Sequence, residues 1–323
     1  MATADQLRAL IASHGAGDDE RFYAIAMQVA ARAARGGKGR QAQELQSLID
    51  EARSASPRTA HVTAVAQPRG ELSDLLTVAY PDISLTDLSL DGGVRDGLER
   101  IVAEQRQRDV LRAHGFAPSR RCLFVGPPGT GKTMSARALA GDLRLPLFTL
   151  RLDGLITKHL GETASKLRLV FDAMQDTRGV YLFDEVDALA GERSTGNDVG
   201  EIRRVLNSFL QFLEQDGADS LLVAATNHPQ LLDRAFGRRF DVRINFPLPS
   251  PSVTRAVLEN RLAGMGSRLA WNRILPASQG LSHADLTAAA ETAAKEAILA
   301  GRKTVTTARV VESLISRQRP TAS

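Results

Sequence analysis

The sequence lacks most of the features that mark secreted, membrane-spanning and metal-dependent proteins. Its single cysteine, Cys122, has no partner for an internal disulfide, and burial is the expected role of its thiol. No apolar run approaches the roughly twenty residues that cross a bilayer, and no basic N-terminal start precedes an apolar stretch. An H-E-x-x-H motif and other metal-ligand clusters are also missing, which excludes a fused zinc protease of that type. We therefore expect a cytoplasmic protein without a membrane partner.

An excess of one charge sign is missing as well. The chain has 41 basic and 37 acidic residues, so its formal net charge is only +4. Its basic clusters, of which residues 35–40 are one, are short and scattered, so nucleic acid is not an expected partner. Hydrophobic residues occupy 43% of the 323 positions, which allows a large core and indicates two or three domains.

A glycine-rich segment directly after the apolar run 122–125 has the form of a complete phosphate-binding loop. Glycines let backbone N–H groups point at phosphate oxygens, and a helix that begins near Lys132 adds its positive end. Lys132 is expected to contact the β and γ phosphates of ATP, and Thr133 a Mg²⁺ ion. We therefore predict binding and hydrolysis of a nucleoside triphosphate. The predicted nucleotide-binding residues here are Gly126, Pro127, Pro128, Gly129, Thr130, Gly131, Lys132, Thr133 and Met134.

A second apolar strand, residues 179–185, ends in two acids and has the form of a Walker B strand. Asp184 is expected to hold the magnesium ion through water, and Glu185 to orient and polarise the attacking water. Alone, such a strand is equally consistent with a solvated acidic turn. The phosphate-binding loop upstream favours the catalytic interpretation.

Residues 220–241 resemble the second region of homology of AAA ATPases, in the short form with adjacent arginines that severing and membrane-remodelling members have. The resemblance implies that Asn227 is the sensor that hydrogen-bonds the γ-phosphate or the attacking water. It implies that Arg238 and Arg239 are arginine fingers, which reach the nucleotide of the neighbouring subunit. An exposed basic turn is the alternative for either arginine. Because no single subunit would then hold a complete site, the implied assembly is a homo-oligomeric ring, a hexamer as in the family.

The resemblance runs from about Ile83 to about Leu314 and departs from the family pattern at two places. In relatives, a G-x-S-G-A-D-L segment opens a lid helix, and its second glycine lies near bound nucleotide. His283 replaces that glycine here. We count His283 among the nucleotide-binding candidates, although a histidine at a helix N-terminus explains it equally well. In the loop that lines the pore of protein-threading relatives, His159 replaces an aromatic residue, so we expect a weaker and more pH-sensitive grip on substrate. A surface loop with an incidental histidine is the alternative there.

The predicted fold is α/β: a parallel-sheet P-loop AAA domain with a small C-terminal helical lid and an N-terminal three-helix unit. Alternating strands and helices favour a parallel sheet covered on both faces, with nucleotide at the carboxyl ends of the strands. The predicted boundaries are 1–54 for a partner-binding helical domain, 55–81 for a linker, 82–249 for the ATPase domain and 250–323 for the lid. Residues 83–90 are expected at the adenine pocket, and further helices at 95–114, 200–215, 253–263, 283–300 and 307–316.

Three interpretations of function stay open. The first is an ATP-driven ring that remodels or threads a protein. The second is a dedicated regulator, because residues 18–45 resemble bacterial AAA ATPases that are encoded beside a subtilisin-like serine protease in toxin–antitoxin or phage-defence modules. The third, a DNA-acting ATPase, ranks last, because such relatives use a lid arginine where this chain has residues 283–285.

Overall fold

The computed structural model describes residues 68–151, 155, 160–189, 198–232, 234–266 and 268–318, together with residue 26. The chain divides after Val65 into two units, and all elements below belong to the second, Ala66–Ser323. Apart from residue 26, the predicted three-helix unit at 1–54 lies outside the described residues, and so does His159 of the predicted pore loop.

Six strands form one mixed sheet in the order β1-β3-β4-β5-β2-β6. Five of them are parallel, and the edge strand β1 is antiparallel to β3, with Leu76 opposite Leu150. The predicted α/β fold is confirmed, with this antiparallel edge as an addition. The strands are β1 Leu76–Ala79, β2 Arg121–Val125, β3 Leu147–Leu150, β4 Val180–Phe183, β5 Leu221–Thr226 and β6 Val242–Asn245.

The strand β1 and the short helix before it lie inside the stretch 55–81, for which the sequence predicted a linker. Leu75 and Leu76 are 1% and 4% exposed and pack into the same apolar cluster as Phe148 of β3. Burial of two leucines stabilises this segment against the sheet by several kcal/mol, at about 1.5–3 kcal/mol per side chain. The described end of the stretch is therefore part of the sheet rather than linker.

Eleven α-helices surround the sheet or follow it within the described ranges. The stretch 95–114, predicted as one helix, is two helices that meet at Gln107, where the backbone leaves helical geometry with ψ of 20°. The helices are α1 Glu71–Leu75, α2 Gly92–Arg106, α3 Arg108–Ala113, α4 Lys132–Leu143, α5 Leu160–Asp176, α6 Asp198–Gln215, α7 Arg234–Gly237, α8 Pro251–Leu262, α9 Trp271–Ala277, α10 His283–Leu299 and α11 Thr307–Gln318.

Both faces of the sheet are buried. Along β2, Leu123 and Val125 join the apolar cluster under α5 and α6, whereas Cys122 and Phe124 join the cluster under α2 and α4. This alternation follows from the twofold period of side chains along a strand. The sheet is therefore a rigid layer whose strand ends can hold side chains in fixed positions.

The last four helices, α8 to α11, pack around their own apolar cluster, which includes Leu258 and Leu286. The helix α10 begins with a capping box in which Ser282 and Asp285 satisfy each other's backbone N–H groups. Within the described ranges, no helix combines the length and the apolar composition that spanning a membrane requires.

Candidate functional site

A cavity of about 820 Å³ lies between the carboxyl ends of the central strands and the helices α8 and α10. Its volume falls within the range of roughly 300–1,000 Å³ that is common for small-molecule sites. Side chains from the phosphate-binding loop, from the turns after β4 and β5, from the segment before α2 and from α8 and α10 line it. The lining residues include Ile83, Leu88, Ser89, Leu90, Pro128, Gly129, Gly131, Lys132, Thr133, Met134, Asp184, Glu185, Asn227, Asn260 and His283.

The phosphate-binding loop connects β2 to α4. Gly129 and Gly131 have φ of +73° and +98°, in the left-handed region that favours glycine. Thr130 is buried, and its hydroxyl donates to the carbonyl of Pro127 at 2.8 Å. The described residues that line the cavity do not include Gly126, Pro127 or Thr130. These three residues support the loop on the side away from the cavity, whereas the rest of the predicted loop residues face it.

The Lys132 ammonium lies at the centre of the loop and has three acceptors. It donates to the carbonyls of Gly126 and Pro127 at 2.7 and 2.8 Å, and to Oδ1 of Asn227 at 2.7 Å. Burial lowers the pKa of Lys132, and the negative charges of nearby carboxylates, first that of Asp184, oppose this shift. The loop is thus tied directly to the end of β5.

The two acids after β4 have different environments. Oδ2 of Asp184 accepts a hydrogen bond from the Thr133 hydroxyl at 2.6 Å, so the two predicted magnesium-holding oxygens are in contact. The Glu185 side chain is exposed at the cavity, and its backbone φ is +53°. A left-handed conformation costs a non-glycine residue about 1–2 kcal/mol. The residue predicted to activate water therefore sits on a strained backbone.

Asp187 was not singled out in the sequence, yet it contacts a predicted site residue. It is 8% exposed, and its Oδ1 accepts a hydrogen bond from the backbone N–H of Asn227 at 3.3 Å. The available signal was a third acid three positions after Asp184 in the same turn.

At the other end of the cavity, two helices meet the segment before α2 at Ser89. Because a carbonyl can only accept, Nε2 of His283 carries the hydrogen in its 3.1 Å contact with the Ser89 carbonyl. Nδ2 of Asn260 in α8 donates to the Ser89 hydroxyl at 3.2 Å. Burial lowers the pKa of His283. The neighbouring Ala284 donates its backbone N–H to the Gly129 carbonyl at 3.0 Å, so α10 also touches the phosphate-binding loop.

The two adjacent arginines after α7 are not among the described residues that line the cavity. Arg238 is exposed. Arg239 is partly buried, and its Nε lies 2.7 Å from Oε1 of Glu214 at the end of α6. The structure thus gives the two arginines different environments, which their adjacency in the sequence did not indicate.

Comparisons with known sequences agree with the fold. A family model described as "ATPase family associated with various cellular activities (AAA)" matches residues 122–248. An uncharacterized AAA family ATPase, y4kL, of Sinorhizobium fredii is 32% identical over 306 residues, which are 94% of this chain and 92% of that protein. Human spastin is 35% identical over 227 residues, 67% of this chain but only 36% of spastin. A putative 26S proteasome regulatory subunit homologue of Methanothermobacter marburgensis is 34% identical over 55% of this chain and 49% of its own length.

The crystal structure of the FIGL-1 AAA domain superimposes with a TM-score of 0.63 at 26% identity, covering 83% of this chain and 94% of that domain. The same domain in complex with ADP gives a TM-score of 0.59 at 29% identity, over 78% and 89% of the two chains. The fold described above is therefore one that binds a nucleotide in a solved protein.

Proposed function

Because the chain belongs to the AAA family of ATPases, we propose that it hydrolyses ATP with Mg²⁺ in the cavity described above, as a ring of identical subunits that acts on a protein partner. The observation that carries the proposal is the convergence of five side chains at the phosphate-loop end of this cavity. They are Lys132, Thr133, Asp184, Glu185 and Asn227.

The residues present fit a nucleoside triphosphate and magnesium. The loop has two glycines in the left-handed region and leads into the N-terminus of α4, which is the arrangement that binds phosphate. The Thr133 hydroxyl and the Asp184 carboxylate offer the oxygen ligands that Mg²⁺ prefers. When bound, magnesium neutralises charge on the phosphates. These two residues would hold it, Thr133 directly and Asp184 through water.

Lys132 has to exchange partners when ATP binds. Its ammonium donates to two loop carbonyls and to Asn227, and phosphate oxygens can replace these acceptors. The exchange releases the Asn227 side chain, whose amide can then hydrogen-bond the γ-phosphate or the attacking water. The exposed Glu185 carboxylate accepts a proton from that water and orients it.

We propose different roles for Arg238 and Arg239. Arg238 is exposed and outside its own cavity, so we assign it the role of an arginine finger in the neighbouring subunit. The ion pair with Glu214 holds Arg239 within its own subunit, from where it positions the turn that carries Arg238. Activity then requires the assembled ring, and we propose a hexamer.

The protein partner is proposed from the similarity to a putative proteasome regulatory subunit homologue, because a proteasome acts on proteins. The pairing with a subtilisin-like serine protease and a role on DNA stay predictions of the sequence. Affinity capture from native cells, with Glu185→Gln in ATP against wild type in ADP, separates these possibilities. A broad set of bound proteins supports general remodelling, whereas one stoichiometric partner makes the chain a dedicated regulator.

Two substitutions test the nucleotide site. Glu185→Gln should bind ATP but lower kcat by about 100-fold or more, because the water loses its base. Lys132→Ala should weaken ATP binding. Phosphate release and binding of a fluorescent ATP analogue measure the two effects. Glu312→Gln, at an exposed acid on α11, is the control and should behave as wild type. Wild-type turnover by Glu185→Gln would refute the assigned role.

A further inference from the structure

We propose that Asp187 is a positioning residue of the hydrolysis site: its carboxylate holds the backbone of Asn227 so that the Asn227 side chain stays at the phosphate end of the cavity. The proposal deepens the ATPase function above and rests on it. Asp187 itself does not touch the reacting atoms in this scheme.

The contact between Asp187 and Asn227 satisfies a backbone donor just beyond the end of the β4–β5 pairing. The strands β4 and β5 pair from Val180 opposite Leu221 to Phe183 opposite Ala224. Asn227 lies three residues beyond that last pair, where β4 has already turned into the short helix Val186–Leu189. Its backbone N–H therefore has no ladder partner on β4, and leaving a partly buried donor without an acceptor is costly. Oδ1 of Asp187 supplies that acceptor at 3.3 Å.

The side chain of Asn227 is held from the opposite direction. Its Oδ1 accepts from Lys132 Nζ at 2.7 Å, so Lys132, Asn227 and Asp187 form a continuous chain of contacts. A buried carboxylate needs compensating partners, and here they are the Asn227 N–H group and the positive charge of Lys132. When Lys132 turns to the phosphates, the Asn227 side chain becomes free while its backbone stays fixed by Asp187.

A direct catalytic role fits Asp187 less well than it fits its neighbours. Asp184 and Glu185 line the cavity, whereas Asp187 is not among the described lining residues and is 8% exposed. Its Oδ1 accepts a hydrogen bond from the backbone of Asn227 at the end of β5. Asp187 is therefore placed to set the geometry of Asn227, and small misplacements of a catalytic group can cost about 100-fold in rate.

The test compares two substitutions of Asp187. Asp187→Ala removes the acceptor and should lower kcat by about 10- to 100-fold. ADP affinity should change less than about threefold, since Asp187 does not line the cavity. Asp187→Asn keeps an amide oxygen for the Asn227 N–H and should restore kcat to within about threefold of wild type.

Asp216 offers a matched control. It is 6% exposed and its Oδ1 accepts the backbone N–H of Ala218 at 3.0 Å, but it is not among the described residues that line the cavity. Asp216→Ala loses a similar buried contact, so kcat per folded molecule should stay within about twofold of wild type. Urea unfolding of both alanine variants establishes that folded protein is being compared.

A double-substitution cycle completes the test. In an Asn227→Ala background, Asp187→Ala should lower kcat no further, because the group that it positions has been removed. An undiminished loss in that background, an equal loss of ADP affinity, or wild-type kcat for Asp187→Ala would each overturn the proposal. If Asn227→Ala itself leaves kcat unchanged, the proposed role of Asn227 fails, and that failure is distinguishable from failure of Asp187 alone.

Discussion

At the scale of single residues, the most informative geometry is the left-handed backbone of Glu185, with φ of +53°. A side chain in this conformation costs about 1–2 kcal/mol, which the pairing of β4 and the fold around it must offset. The strain coincides with the acid proposed to activate water. The backbone strain and the proposed catalytic group therefore lie at the same residue.

The strain can be measured by comparing the stabilities of alanine and glycine variants at Glu185. At an ordinary position glycine is less stable than alanine by about 0.5–1 kcal/mol. At Glu185 we expect the opposite order, with Glu185→Gly more stable than Glu185→Ala by about 1 kcal/mol. Urea unfolding without nucleotide provides the free energies. Glu99, a half-exposed helical residue in α2, is the control at which alanine should be the more stable. The normal order at both positions would show that Glu185 is unstrained.

At the scale of elements, the phosphate-binding loop and the first turn of α10 interlock. The backbone N–H of Ala284 donates to the Gly129 carbonyl, and a Cβ built on Gly129 would lie 2.5 Å from the Ser282 hydroxyl oxygen. Such a distance is closer than real Cβ atoms approach, so any side chain at Gly129 must displace α10 or the loop. The loop and the first turn of α10 are therefore in direct steric contact.

Gly129→Ala should accordingly destabilise the protein more than backbone strain alone explains. Gly115 is the matched control, because its φ is +81° and no described atom lies within 4 Å of its added Cβ. We expect the loss of unfolding free energy in Gly129→Ala to exceed that in Gly115→Ala by about 1–3 kcal/mol, the cost of overpacking. Adding Ser282→Gly should recover part of the excess. Equal losses at the two glycines would mean that α10 does not press on the loop. Denaturant unfolding in the absence of nucleotide is the measurement.

At the scale of the whole molecule, we propose that a second copy of the chain completes the site. Arg238→Ala and Glu185→Gln should each have little activity, since an arginine finger contributes about 10³-fold or more. When the two variants are mixed, an intact Glu185 in one subunit can meet an intact Arg238 in the next. We therefore expect mixing to restore part of the ATPase rate.

The matched control mixes Glu185→Gln with Lys132→Ala. In that mixture no subunit has both the ammonium and the acid, so activity should stay low whatever the arrangement of subunits. Subunit exchange between labelled samples is the measurement that tests whether mixed assemblies form. Mixed assemblies of Arg238→Ala and Glu185→Gln without recovered activity would place Arg238 outside the neighbouring site.

What could be predicted from the sequence depended on how far apart the contributing residues lie. The strands before the phosphate-binding loop and before Asp184 are contiguous apolar runs, so their existence and the α/β fold followed from local patterns. The edge strand β1 was missed because its burial depends on pairing with β3, about seventy residues later. The break at Gln107 was missed because apolar periodicity alone does not mark the end of a helix.

The sequence by itself determined the local chemistry of this protein: a glycine-rich loop with Lys132 and Thr133, an acidic strand end and membership of a recognisable family. Only the tertiary structure decided which groups meet across the chain. It brings Asp187 to the backbone of Asn227, places Ala284 on Gly129, and separates an exposed Arg238 from an Arg239 paired with Glu214. The physical reason is that hydrogen bonds act over about 3 Å, and such proximity between distant segments is set by strand order and by the packing of α8 to α11 rather than by sequence spacing.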